Sequence, residues 1–171
     1  MAAQTIPRDL IRQLIRQISR RGVAYADVRF ERILHESLVV EHQQPTAVSA
    51  SETAGVGIRV LIGGSWGFAA TPHVDLTNLK RAAAQAIAIA KASASINKHA
   101  LRLAPVKPVK AIHRSRFQVD PFEVPLSKKL DYLQWALSCL PGPKAIKRAT
   151  AHMDFYKRAK YFASTEGAQI E

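Results

Sequence analysis

Val60-Leu61-Ile62-Gly63-Gly64-Ser65-Trp66-Gly67-Phe68-Ala69-Ala70-Thr71 consists of two apolar alternating runs that meet at a Gly-Gly pair. A two-residue turn of the primed kind needs positive φ at both central positions, which glycine adopts without a steric penalty. The stretch therefore predicts a tight β-hairpin. Upstream, Ala26, Val28 and Phe30 alternate with Asp27, Arg29 and Glu31, the period-two pattern of a strand wet on one side. Residues 36–41, 48–51 and 55–62 extend the series. In the last of these, Val56, Ile58, Val60 and Ile62 share one face and Arg59 takes the other. Connections this short leave no room for crossover helices, so the sheet is expected to be mainly antiparallel.

Two helices flank this strand-rich block. In residues 5–22, Leu10, Ile11, Leu14, Ile15 and Ile18 form one apolar stripe, and Arg8, Arg12, Arg16 and Arg20 fall at four-residue spacing on the remainder. That arginine row reads as the solvated side of an amphipathic helix, with Thr5 as its cap and Gly22 as its stop. Residues 75–95 form an alanine-rich helix with Leu76, Leu79, Ala83, Ala86, Ile87 and Ala90 on one face. Small residues permit close approach, so this helix is expected to cover the apolar side of the sheet. The fold class that follows is α+β, a two-layer sandwich with helices on one face.

The chain divides into three stretches. Residues 1–103 hold helix, sheet and covering helix. Residues 104–126 form a basic connector in which Pro105, Pro108, Pro121 and Pro125 deny helix interior and central strand. Residues 127–171 hold a helix capped by Ser127 and carrying Leu130, Leu133, Leu137 and Leu140, which Pro141-Gly142-Pro143 stops. Two strands follow, at 151–155 and 160–164, then a turn at Ser164-Thr165-Glu166-Gly167. Residues 168–171 begin a strand for which the sequence offers no return partner, which reads as truncation from something longer.

Composition sets outer limits. Of the 171 residues, 47% are hydrophobic and 22% charged, values of a chain that folds rather than one that stays disordered. The single cysteine, Cys139, excludes an internal disulfide and suits a reducing compartment. It falls among leucines and reads as a buried small hydrophobe. The first residues lack a basic and then apolar leader, and no apolar run approaches the roughly 18 residues a membrane span requires. A cytoplasmic protein without membrane contact is expected. The charge is unusual: 25 Lys and Arg against 13 Asp and Glu leave +12, a surplus that attracts polyanions.

The chemical candidates thin out quickly. His35-Glu36 is the only His-Glu pair, and zinc-peptidase chemistry needs a second histidine one helical turn on. Val39 and Val40 stand there instead, and His42, seven residues away on a strand, would point to the opposite face. Gly55, Gly57, Gly63, Gly64 and Gly67 are followed by no helix opening and no Lys-Ser or Lys-Thr pair. They mark turns, bulges or close backbone approach rather than a phosphate cradle. His73, His99, His113 and His152 show no ligand spacing. Trp66 and Phe68 share a strand face, as core or as the lip of a groove.

Tyr25-Ala26-Asp27-Val28-Arg29, then Gly55-Val56-Gly57-Ile58-Arg59-Val60, then Gly64-Ser65-Trp66-Gly67-Phe68-Ala69, followed by the alanine-rich helix, together resemble the N-terminal domain of the TldD/PmbA peptidases, formerly called modulators of DNA gyrase. The resemblance extends from about residue 22 to 92. It is looser from 105 to 171, where Ser164-Thr165-Glu166-Gly167 lacks the asparagine of the family's Asn-Ser-Glu-Gly turn. It implies a two-domain cytosolic zinc metallopeptidase that acts on small or unfolded peptides as a homodimer or heterodimer. In that family a His-Glu-x-x-x-His helix and a later cysteine bind the metal. Those residues lie beyond the region matched here, and Cys139 does not occupy the cysteine position.

No catalytic or metal role therefore transfers to any position, and the chain by itself is expected to need no cofactor and to be inactive. What it would supply is a substrate channel and a dimerisation surface. An antiparallel sheet with glycines at an edge can take an extended peptide as an added strand, and Gly55, Gly57, Arg59, Trp66 and Phe68 are the candidate residues. Two alternatives stay open: a basic nucleic-acid-binding module resting on the charge alone, and a stand-alone dimerisation scaffold.

Overall fold

The computed structural model describes residues 6–141 and 146–171. Three helices and six strands follow one another as α1 (Arg8–Ser19), β1 (Tyr25–Glu41), β2 (Gln44–Ile62), β3 (Ser65–Thr71), α2 (Leu76–Ile96), β4 (Lys110–Ala111), α3 (Leu126–Ser138), β5 (Thr150–Ser164) and β6 (Gln169–Ile170). The strands are hydrogen-bonded in the order β3-β2-β1-β5-β6-β4. The class is α+β, as expected, and the sheet is mixed because β4 and β6 run parallel.

The predicted hairpin is present. β2 and β3 pair antiparallel from Val56↔Thr71 to Ile62↔Ser65, and Gly63 and Gly64 turn the chain with φ of 55° and 73°. A second tight turn, between β1 and β2, has the same sign at His42 (φ 48°) and Gln43 (φ 64°). Two non-glycine residues in the left-handed region cost of order 1–3 kcal/mol each and persist only where their surroundings hold them.

Several boundaries differ from the sequence reading. The strands expected at 26–31 and 36–41 are one 17-residue strand, those at 48–51 and 55–62 are one 19-residue strand, and those at 151–155 and 160–164 are one 15-residue strand. No turn residue separates the members of each pair, so the ladder continues. The cap expected at Thr5 lies outside the described residues; Pro7 stands at the N-cap of α1 without a side-chain bond. Pro125, not Ser127, precedes α3, and no side chain caps it. Because α3 ends at Ser138, Cys139 is exposed rather than buried. The last strand does have partners: β6 pairs antiparallel with β5 and parallel with β4.

The chain forms two compact units that share its long strands. The first takes the chain up to Arg32, with Ala54–His113 and Ala159–Glu171; the second takes Ile33–Thr53 and Arg114–Arg158. In the first unit, α1 and α2 lie on one face of the sheet. Ile11, Leu14 and Ile18 of α1 and Leu79, Ala83 and Ala86 of α2 meet Ala26, Val28, Phe30, Val56, Ile58 and Val60, all nearly or wholly buried. Asp75 caps α2 by accepting the Asn78 amide at 2.9 Å, and Gly22, at φ 68°, carries the chain out of α1. The arginine row of α1 is only partly a solvated face. Arg8 pairs with Glu171 and Arg12 donates to Tyr161, so the first half of the row is tied to the end of the chain.

The second unit has its own smaller core, in which Leu38 and Val40 of β1 pack with Leu133 and Leu137 of α3. Glu36, weighed above as half of a metal motif, instead accepts from Lys129 Nζ at 2.7 Å. The Lys129 side chain is only 5% exposed.

Candidate functional site: an arginine and aromatic face on the sheet

In the first unit, the alternation that sends Ala26, Val28, Ile58 and Val60 toward the helices sends their neighbours to the opposite sheet face. Tyr25, Asp27 and Arg29 of β1, Gly57 and Arg59 of β2, Trp66 and Phe68 of β3 and Phe162 of β5 lie on that face. At its centre Asp27 is fully buried. Arg59 donates to it from Nε (2.9 Å to Oδ2) and Nη2 (2.6 Å to Oδ2), and Arg29 adds Nε at 3.2 Å to Oδ1. A buried carboxylate needs such partners to offset its desolvation.

Aromatic rings surround the charges. The Arg59 guanidinium lies 5.0 Å from the Trp66 ring centroid, and that of Arg29 lies 5.4 Å from the Phe162 centroid, both inside cation–π range. Tyr25 meets Trp66 edge to face, with centroids 5.8 Å apart. Phe68 is 57% exposed and is paired directly with Arg59 across the hairpin. Its ring occupies the space above Gly57, where an added Cβ would approach it to 3.2 Å. Glycine at 57 thus leaves a seat for an aromatic ring.

Burial, then the Asp27 charge and the hydrogen bond to Asp27, push the Tyr25 phenol up from 10.0 to about 12. The hydrogen bond to Asp27 likewise raises the Arg59 guanidinium. In the unfolded chain the phenol ionises near its ordinary value, so the stability it confers is complete below pH 10 and is lost as pH climbs toward 12. The expected result is that Tyr25→Phe flattens the fall in unfolding free energy across that window, followed by urea titration at each pH. An unchanged slope would contradict the pairing.

Four of the five candidate residues, Gly57, Arg59, Trp66 and Phe68, come together on this face. Gly55 shares their strand parity but sits one pair further along, its added Cβ 3.3 Å from the Thr71 carbonyl oxygen. Tyr25, Asp27, Arg29 and Phe162 complete the face and were not singled out from the sequence. The signal was available, since an aspartate flanked by Tyr25 and Arg29 at alternate positions faces an arginine-bearing strand in the same sheet. Gly57 and Arg59 have a strand on either side, whereas β3 is bonded to β2 alone among the described residues. The free backbone edge therefore belongs to Ser65–Thr71.

This face offers guanidinium donors beside aromatic surface. Its buried carboxylate, Asp27, is held by two arginines. Among the described residues no group of three or more His, Cys, Asp or Glu could hold a metal ion. The zinc that the family resemblance implies finds no such ligand set among the described residues. Among the described residues, no helix is long and apolar enough to cross a membrane.

Residues 26–90 match domain 1 of the PmbA/TldA metallopeptidases. A comparison with curated protein sequences finds no match. Among solved structures, the fold is similar to that of a protein named as a candidate modulator of a DNA gyrase from Thermotoga maritima, with a TM-score of 0.70 at 17% identity over 95% of this chain and 36% of that one. TldE from Thermococcus kodakarensis gives 0.67 at 17% identity, over 94% of this chain and 36% of that one. A candidate modulator of DNA gyrase from Bacteroides thetaiotaomicron gives 0.75 at 12% identity, over 95% and 37%. The chain thus spans little more than a third of the length of these proteins.

Proposed function

We propose that this chain, whose residues 26–90 match domain 1 of the PmbA/TldA metallopeptidases, carries the N-terminal domain of that family and is the non-catalytic, peptide-guiding part of a cytoplasmic zinc metallopeptidase assembly that processes small or unfolded peptides as a homodimer or heterodimer. The observation that supports this most is the sheet face beside the free β3 edge. There an extended peptide can take backbone hydrogen bonds from Ser65–Thr71 while its side chains meet Trp66, Phe68 and the Arg59 guanidinium. Main-chain bonds give affinity without demanding sequence, and the aromatic and arginine surface adds the anchors typical of binding hot spots.

The test uses the 171-residue chain. With zinc supplied and then dialysed away, it is expected to retain no stoichiometric metal and to cleave no peptide. Titration with unstructured peptides of unrelated sequence should shift the backbone amide resonances of β3, and Trp66→Ala with Arg59→Ala should weaken binding about tenfold, the loss of roughly 1.4 kcal/mol. Stoichiometric zinc, hydrolysis by the chain alone, or shifts confined to other strands would each overturn the reading.

A further inference from the structure

The charge surplus is not spread over the chain. The first unit holds 16 Lys and Arg against six Asp and Glu, which accounts for ten of the twelve surplus positive charges. Between Asp75 and Asp120 the sequence carries nine Lys or Arg and no acid. Of the unit's six acids, Glu166 lies near Tyr25 of the opposite sheet face and the other five are committed elsewhere. Asp27 is held on the opposite sheet face, Glu171 and Asp9 pair with Arg8 and Arg12, Glu31 pairs with Lys160, and Asp75 caps α2. Among the described residues, Arg16, Arg20 and Arg21 near the end of α1 and Lys80 and Lys91 of α2 have no ion-pair partner, and all five are exposed. Arg20, Arg21 and Lys80 line a cleft of about 370 Å³ whose other walls include Leu14, Ile18 and Ala83.

We propose that this helical layer, centred on the cleft between α1 and α2, is a docking surface for the phosphate backbone of duplex nucleic acid, read without regard to sequence. Exposed cations gathered around one cleft and engaged in no ion pair gain most from a partner that releases condensed counterions. Neither α1 nor α2 contains an aromatic residue, so the layer lacks the stacking platforms that single strands use. Most of its large apolar side chains face the sheet, and α2 presents Ala84, Ala88 and Ala92 outward together with exposed Ile89 and Ile96. With no exposed Trp, Phe or Leu, two isoleucines seven residues apart make only a thin apolar stripe for insertion into an anionic membrane, while the small residues let a rigid rod come close.

Fluorescence anisotropy with a labelled duplex and a scrambled duplex tests this on the full chain. The two duplexes are expected to bind equally. Four phosphate contacts would give a slope of about −3.6 in log affinity against log salt. Reversing the four charges (Arg16→Glu, Arg20→Glu, Arg21→Glu, Lys80→Glu) should weaken binding about a hundredfold at moderate salt and flatten the slope, with the circular dichroism spectrum unchanged. Arg20→Lys with Arg21→Lys should keep most of the affinity. Salt-independent or undetectable binding would overturn the proposal. So would equal loss from Arg114→Glu with Arg116→Glu in the other unit, or competition by polyglutamate or anionic vesicles as effective as the duplex itself.

Discussion

Gly67→Ala is expected to destroy cooperative folding of the first unit or to lower its stability by more than about 3 kcal/mol, the upper end of ordinary overpacking costs. At this position the backbone of α2 rests directly on β3. A Cβ on residue 67 would stand 1.9 Å from the Ala86 carbonyl oxygen and 2.6 Å from the Ala90 nitrogen. Neither atom is the end of a flexible side chain, so the helix itself would have to move. Moving it would open the contacts that bury Leu79, Ala83 and Ala86 against the strands. Two other glycines calibrate the expectation. Gly22→Ala meets open space and bears only the cost of its φ of +68°, about 1 kcal/mol. Gly64→Ala adds to its φ of +73° a Cβ 2.5 Å from the Ala100 Cα and should fall between the two. Urea unfolding followed by the fluorescence of Trp66, next to the substituted residue, measures all three. A Gly67→Ala midpoint close to that of the parent would mean that α2 does not sit on β3 as described.

That glycine shows where sequence reading succeeds and where it stops. Gly63-Gly64 between alternating runs announces its turn because both residues must take positive φ, and the turn is there. Close backbone approach was among the roles open to Gly67, yet nothing local named α2 as the neighbour. The His42-Gln43 turn was invisible because neither residue prefers the left-handed region; the surrounding sheet imposes it. Without a legible break the long strands were read as fragments, and the pairing of β6 with the distant β4 left no local trace. The functional face was half legible. Gly57, Arg59, Trp66 and Phe68 stand close in sequence and share parity, so periodicity grouped them. Asp27 and Arg29 looked like the wet side of a strand, because burial of a polar face depends on which strands lie beside it.

The second large effect concerns Glu36, where sequence first suggested chemistry and the structure places a buried ion pair. Glu36→Ala is expected to cost roughly 3–5 kcal/mol, the range for removing one partner of a buried pair. Lys129 Nζ lies 2.7 Å from Glu36 Oε2 and 5.1 Å from the centroid of the Phe155 ring. With the side chains of Lys129 and Glu36 5% and 14% exposed, the ammonium has little water to turn to once the carboxylate is gone. The ring face offers some attraction, but far less than a carboxylate in contact. The cost should fall on the small core of Leu38, Val40, Leu133 and Leu137, and faster hydrogen exchange at those amides would report it. Replacing both partners, as Glu36→Leu with Lys129→Met, removes the unpaired charge along with the pair. Buried pairs exchanged for apolar side chains of similar volume are often neutral or stabilising, so the double variant should recover most of the loss. A single variant costing under about 1 kcal/mol, the value of an exposed pair, would show that water reaches Lys129 and that α3 does not cover it.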